Sequence, residues 1–282
     1  MLLRGIVLIA LGHDLYGKNA YNLALSIKAH NDIRVCLLYD NKAVSNLGQK
    51  DLEIFDDKVL FNYEDCTVNG QIQYQRAKLC VYDYSPYDFT IYMDADSLWL
   101  PGKKIDDLDI YKRDFTIGMY GEYTGNRTQN GYMFWGDPIV ICNYFDIEYL
   151  PQTISGFFAF KKNKTTKLLF DVAKYVYDDE KAPAMKWANG KADEYCFNVA
   201  MAKIGMRQEK FNVFYFEKIN KGLSNEQIYD NYFGIAMGTH KVSENLVIIY
   251  NKLVNLYCQQ KGITKRFYHI DKKEVIPERK TF

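Results

Sequence analysis

Residues Phe89-Thr90-Ile91-Tyr92-Met93 form an apolar, strand-forming run that stops abruptly at two carboxylates, Asp94 and Asp96, with only Ala95 between them. On an extended chain, residues two apart point to the same side. Both acids therefore reach one point just beyond the strand's C-terminal end, where open α/β sheets place their ligands. Carboxylates this close repel each other unless a cation or protons compensate them. Paired oxygen ligands suit Mg²⁺ or Mn²⁺, completed by the phosphates of a substrate. Taken alone, the segment also reads as a solvated Asp-x-Asp turn after a core strand.

The surrounding pattern is that of an α/β chain. Ile6–Ala10 predicts a first strand, Gly12-His13-Asp14 a polar loop, Asn19–Ala29 a helix carrying Leu23 and Ile27, and Ile33–Tyr39 a second strand. Together they make a β-α-β unit whose crossover is right-handed. Short strands are expected near Val59–Phe61, a helix over Gln73–Tyr82, and a further strand over Phe115–Tyr120. Residues 121 to 150 are rich in Gly, Asn and aromatic side chains without lasting periodicity, which predicts a long loop acting as a lid or binding loop. Phe157–Phe160 predicts a short strand, and Thr165–Tyr177 and Asp193–Lys203 predict helices, the second ended by Gly205. Ser243 is placed to cap a final helix running to about Gln260, with Gly262 beyond its end. No repeat or heptad pattern is present, so the expectation is a single domain over residues 1–262 and a tail at 263–282.

Composition narrows the partners. Thirty-six basic and 35 acidic side chains leave a net charge of +1, which provides no strong global field for nucleic acid or an anionic membrane. The six cysteines (Cys36, Cys66, Cys80, Cys142, Cys196, Cys258) are scattered without a Cys-x-x-Cys pair, which argues for reduced, mostly buried thiols. No segment approaches the roughly 20 apolar residues that span a bilayer, so a cytoplasmic protein is the default. The 24 tyrosines and 17 phenylalanines can line a cleft as well as fill a core.

Six motifs then follow in a fixed order: Ile9-Ala10-Leu11-Gly12, Arg76-Ala77-Lys78-Leu79, Tyr92-Met93-Asp94-Ala95-Asp96, Ser155-Gly156-Phe157-Phe158, Asp193-Glu194 with Asn198, and Gly238-Thr239-His240-Lys241. In this order and spacing the chain resembles the nucleotide-sugar glycosyltransferases of GT-A fold, in particular the family containing glycogenin and bacterial lipopolysaccharide galactosyl- and glucosyltransferases. The resemblance runs from residue 9 to residue 241. It implies a Rossmann-like mixed sheet flanked by helices, with an elaborated C-terminal half. It also implies a nucleotide-binding half at 1–120 and an acceptor- and metal-completing half at 121–262.

By that resemblance, the chain moves a hexose from a UDP-sugar to a hydroxyl acceptor, with Mn²⁺ or Mg²⁺ and with retention of anomeric configuration. Asp94, Asp96 and His240 are the implied metal ligands. Ala10, Leu11, Tyr16 and Asp40 are candidates for the nucleotide pocket, although a structural role fits each of them as well. Lys78, Asp94, Ser155, Gly156 and Lys241 are implied around the diphosphate and the sugar; Arg76 is a second phosphate contact or plain surface. Asp193 is assigned to sugar hydroxyls, and Glu194, where many relatives have Gln, to the face of the anomeric carbon. Gly-Thr-His-Lys also departs from the family, in which Gly and Lys follow the His.

The acceptor is read as a saccharide or lipooligosaccharide, with a protein or a modified DNA base as alternatives. Tyr123, Tyr132, Phe134, Trp135 and Tyr144 are the aromatic candidates for it. Peripheral membrane contact would fall to Lys261–Lys280. Competing readings are a non-catalytic nucleotide-sugar-binding protein and a Mg²⁺-dependent phosphatase or nucleotidyltransferase. A dehalogenase-type phosphatase places its nucleophile on an early strand, and a nucleotidyltransferase has a Gly-rich basic loop where this chain has Gly12-His13-Asp14-Leu15.

Overall fold

The computed structural model describes residues 2–125, 134–187, 189–217, 222–237, 242–264 and 266–267. In chain order its elements are β1 (Arg4–Ala10), α1 (Asp14–Lys28), β2 (Arg34–Tyr39), α2 (Gln49–Leu52), β3 (Asp57–Leu60), β4 (Thr67–Val68) and β5 (Gln71–Ile72). Then come α3 (Arg76–Leu79), α4 (Val81–Tyr84), β6 (Phe89–Met93), β7 (Ser97–Trp99), β8 (Phe115–Tyr123), α5 (Pro138–Phe145), β9 (Leu150–Lys161) and α6 (Lys164–Asp178). The remainder are β10 (Lys186–Trp187), β11 (Gly190–Lys191), α7 (Asp193–Lys203), β12 (Phe214–Phe216), α8 (Asn225–Asn231), β13 (Gly234–Ala236) and α9 (Glu244–Gln260). Packing divides the chain into two compact units, one of Met1–Leu3, Phe61–Tyr92 and Ile110–Asn212, the other of Arg4–Leu60, Met93–Asp109 and Val213–Phe282.

In the second of these units β1, β2 and β3 run parallel, with Ala10 opposite Tyr39 and Tyr39 opposite Leu60. The apolar runs of β1 and β2 are buried, as strands covered on both faces require. Helix α1 begins at Asp14, five residues before its apolar periodicity becomes visible, because the His13 side chain caps it by accepting from the Leu15 amide. Gly17 sits in that hidden first part. A Cβ there would lie 2.1 Å from the Ala43 carbonyl oxygen, so only glycine lets α1 lie this close to the chain leaving β2.

The same unit holds a small sheet that the hydrophobic pattern did not announce, with β13 pairing parallel to β12 and antiparallel to β7. Trp99 is its fully buried centre. The Trp99 amide donates to Ser26 Oγ (3.0 Å), its indole N–H to the Lys103 carbonyl (2.9 Å), and its carbonyl accepts from Tyr257 Oη (2.6 Å). Helices α1 and α9 are thereby tied to β7. Helix α9 starts and stops as the sequence predicts, capped by Ser243 and followed by Gly262 at φ +65°.

In the other unit β9 pairs antiparallel with β8 and lies next to β6. Strands therefore run in both directions along this α/β chain. Strand β9 spans Leu150–Lys161, well beyond the short strand expected at Phe157–Phe160, and β8 continues to Tyr123. Its apolar face is aromatic: Phe158 stacks on Tyr92 at 4.5 Å and meets Phe197 of α7 at 5.3 Å, while Phe160 meets Phe170 of α6 at 5.0 Å.

Two expectations are corrected here. Residues 121 to 150 are not one loop, since β8 and α5 occupy much of the described part; α5 starts on an Asp137 cap with Pro138 in its first turn and ends at Asp146 (φ +52°). An eight-residue helix is too short to show the periodicity by which helices are found in sequence. Likewise Gln73–Tyr82 is not one helix but α3 and α4, separated by Cys80.

Among the described residues no helix is long and apolar enough to cross a membrane. All six cysteines are buried thiols outside any disulfide. Burial pushes the thiols of Cys36 and Cys80 up to about 12 and that of Cys196 well above its ordinary value. The native protein is therefore expected to react only slowly with a charged thiol reagent such as dithionitrobenzoate, and fully after unfolding in guanidinium. Rapid stoichiometric labelling of the native protein would contradict this packing.

Candidate functional site

Three of the sequence-predicted residues meet in one buried cluster. Lys78 comes from α3, Ser155 from the middle of β9, and Asp193 is the first residue of α7. The Lys78 ammonium lies 3.0 Å from Asp193 Oδ2 and 3.2 Å from Ser155 Oγ, and the Ser155 hydroxyl donates to the same Asp193 oxygen. Ser155 is fully buried and Asp193 is 5% exposed. Removed from water, this ion pair interacts far more strongly than a surface pair, and each charge depends on the other. Lys78 also stands 5.7 Å from the centroid of the Tyr92 ring, a cation–π contact.

Local structure explains why the cluster forms. The Ala192 cap of α7 supplies no side-chain acceptor, so Asp193 and Glu194 bring negative charge to the helix's positive end. Asn198, one turn on, accepts from the Thr153 amide (3.0 Å) and hydroxyl (2.7 Å), which fixes α7 against β9 and sets Asp193 beside Ser155. Gly156 is buried directly after Ser155, and Glu194 is half-buried. Arg76 is not a plain surface charge. It grips Asp178 through two nitrogens (2.8 and 2.6 Å) and donates to the Asp65 carbonyl, a structural clamp that raises its pKa further.

In the second unit, Asp94, Ala95 and Asp96 form the turn between β6 and β7, with the Ser97 amide donating to the Asp94 carbonyl at 3.1 Å. Both acids are half-buried. The Asp96 carbonyl accepts from the Met237 amide at 3.0 Å, which ties this turn to the end of β13. Beside it, Ser97 Oγ is buried with no hydrogen-bond partner among the described residues. His240 and Lys241 lie outside the described residues. Among the described residues no group of three or more His, Cys, Asp or Glu side chains could hold a metal ion. Two carboxylates on one turn, accessible at half burial, are nonetheless the oxygen donor set that a hard divalent cation takes.

Ala10 and Leu11 sit buried at the tip of β1, ahead of Gly12 at φ +80°. Asp40, 4% exposed, accepts from the Gly12 amide through Oδ2 (2.5 Å) and from the Ala43 amide through Oδ1 (2.6 Å). It shapes the loops beyond β1 and β2 with both oxygens. Tyr16 is half-buried in the first turn of α1.

Among the described residues, the aromatic side chains expected around the acceptor make separate contacts. Phe134 is buried and meets Tyr123 at 6.4 Å, Tyr144 is exposed and donates to Asp179 (3.0 Å), and Trp135 meets Trp187 at 5.0 Å. Tyr132 lies outside the described residues. Trp187 had no sequence signal, because its strand is two residues long.

The fold is an open α/β fold of GT-A type with an elaborated C-terminal region. A crystal structure of the galactosyltransferase LgtC, in complex with donor and acceptor sugar analogues, matches 96% of this chain and 99% of its own at a TM-score of 0.55 and 13% identity. The apo structure of the bifunctional glycosyltransferase WbbM matches at a TM-score of 0.51 and 10% identity over 84% of this chain, which spans 46% of WbbM. No family model matches the sequence, and no curated protein matches it. At these identities both likenesses are of fold.

Proposed function

We propose that the chain is a metal-dependent glycosyltransferase that moves a hexose from a UDP-sugar to a hydroxyl of an acceptor with retention of configuration. The observation that carries the proposal is the half-buried Asp94-Ala95-Asp96 turn at the end of β6, in a chain whose fold follows that of LgtC almost end to end. A phosphatase or nucleotidyltransferase reading has no comparable support.

In this reading Ala10, Leu11 and Tyr16 face the nucleotide, on loops held by Asp40. Asp94 and Asp96 hold Mn²⁺ or Mg²⁺. His240 is proposed as the third ligand; it follows Met237 by three residues, a chain length that spans at most about 11 Å. The bound ion would supply Lewis acidity toward the negative charge that the departing diphosphate gathers. Lys241 is proposed to add positive charge there. Asp193, paired with Lys78 and bonded by Ser155, accepts hydrogen bonds from sugar hydroxyls, on a helix that Asn198 fixes against β9. Glu194 presents a carboxylate to the anomeric carbon. The bond from that carbon to the diphosphate oxygen breaks with its electron pair going to the diphosphate, and a bond to the acceptor oxygen forms as that hydroxyl passes its proton to the departing diphosphate. Glu194 accommodates either attack from the same face within an ion pair or a short-lived glycosyl-enzyme.

Hydrolysis of UDP-glucose and UDP-galactose should require Mn²⁺ or Mg²⁺ and stop in EDTA. In calorimetry, UDP should bind where GDP, CDP and TDP do not. Turnover undiminished by EDTA, or binding of GDP in place of UDP, would overturn the reading.

A further inference from the structure

Apart from glycine, the described residues with positive φ include Asn69, Asp146 and Trp135. Asn and Asp tolerate the left-handed region, and Asp146 ends α5 there. Trp135, at φ +59°, has no such licence; a bulky side chain in this conformation is strained and persists only where its surroundings impose it.

The surroundings do impose it. The Met185 amide donates to the Trp135 carbonyl at 2.7 Å. Next in the chain, Gly136 comes so close to Pro183 that a Cβ would sit 2.7 Å from its carbonyl oxygen. The Trp135 ring meets the Trp187 ring at 5.0 Å and 67°, edge to face. Trp187 pairs with Gly190 in the β10–β11 hairpin, and that hairpin is itself clamped: a Cβ on Gly190 would lie 2.2 Å from both Gln73 Oε1 and Tyr177 Oη. Lys191 donates to the Tyr177 carbonyl at 2.7 Å. Asp193 follows two residues later, so Trp187 and the carboxylate of the Lys78–Ser155–Asp193 cluster lie on one short stretch of chain. Both indoles are half-exposed rather than buried in the core.

We propose that Trp135 and Trp187 form a preformed aromatic shelf that takes a pyranose ring of the acceptor. A pyranose presents an apolar C–H face and a rim of hydroxyls. Its apolar face is recognised by a fixed aromatic surface, and this segment supplies one. The strain at Trp135 is then the cost of holding one indole edge against the other. The proposal rests on the glycosyltransferase reading only for the word acceptor; saccharide binding itself needs no donor.

The chain has three tryptophans, and Trp99 is fully buried, so changes in indole emission on adding sugar report on this pair. The parent protein is titrated with methyl α-glucopyranoside, methyl β-galactopyranoside, maltose and lactose, without nucleotide. At least one is expected to shift the emission saturably. Trp187→Ala should weaken that sugar's affinity by about tenfold or more, and Trp187→Phe, which keeps a ring, should restore most of it. Trp135→Gly should weaken it similarly while melting no lower than Trp187→Phe, since glycine relieves the strain. An emission unmoved by all four sugars, or a Trp187→Ala protein with parental affinity, would overturn the shelf. Saccharide binding without any UDP-sugar hydrolysis would leave the shelf standing and overturn the proposed reaction instead.

Discussion

Replacing Asp96 with Asn is expected to lower metal-dependent turnover of the UDP-sugar by about a thousandfold, the loss that follows when several kcal/mol of charge stabilisation on the leaving group disappear. The fold should survive. The contact that anchors this turn to β13 is made by the Asp96 backbone carbonyl with the Met237 amide, and an amide side chain leaves it in place. The residue is half-buried, and asparagine keeps the size and shape of its side chain. Turnover of Asp96→Asn and parent is compared across a Mn²⁺ titration, with circular dichroism melts of both. Full turnover by Asp96→Asn would remove the metal assignment, and the proposed reaction would fall with it.

The second large effect concerns stability and activity together. Lys78→Ala leaves the Asp193 carboxylate, 5% exposed, without its cation. Breaking a buried pair from one side costs about 3–5 kcal/mol, because the remaining charge stays desolvated. Lys78→Ala should therefore melt on the order of 10 °C below the parent. It should also lose transfer by about a hundredfold or more, since Asp193 is then oriented by Ser155 without its charged partner. Adding Asp193→Asn to it removes the orphaned charge, so the double variant should be more stable than Lys78→Ala alone. If the two changes cost stability additively, the ion pair is not the unit that holds this cluster.

Much of the frame is legible in the residue order. The core strand at Phe89–Met93, the helix Asp193–Lys203 and the capped final helix all lie where their patterns place them, because each carries a strong local signal of its own. The start of α1 was hidden by polar residues that pack through Gly17 and a histidine cap, neither of which has an apolar period. Strands β7, β12 and β13 are three residues each and owe their existence to pairing partners far away in the chain. No local window contains that information.

The site divides in the same way. The acids Asp94 and Asp96 were evident from sequence, since two carboxylates closing an apolar strand stand out whatever the rest of the chain does. Residue order also pointed to Lys78, Ser155 and Asp193 one by one, but as separate weak signals. That they converge is a fact of packing: α3, β9 and α7 are far apart in sequence, and Asn198 and the aromatic layer under β9 bring them together. Packing likewise gave Asp40 and Arg76 structural contacts that their charge alone leaves open. It also paired Trp135 with Trp187, across a separation no sequence period spans. Composition and periodicity are properties of neighbours along the chain, whereas burial, ion pairing and backbone strain arise only when distant segments exclude water from each other.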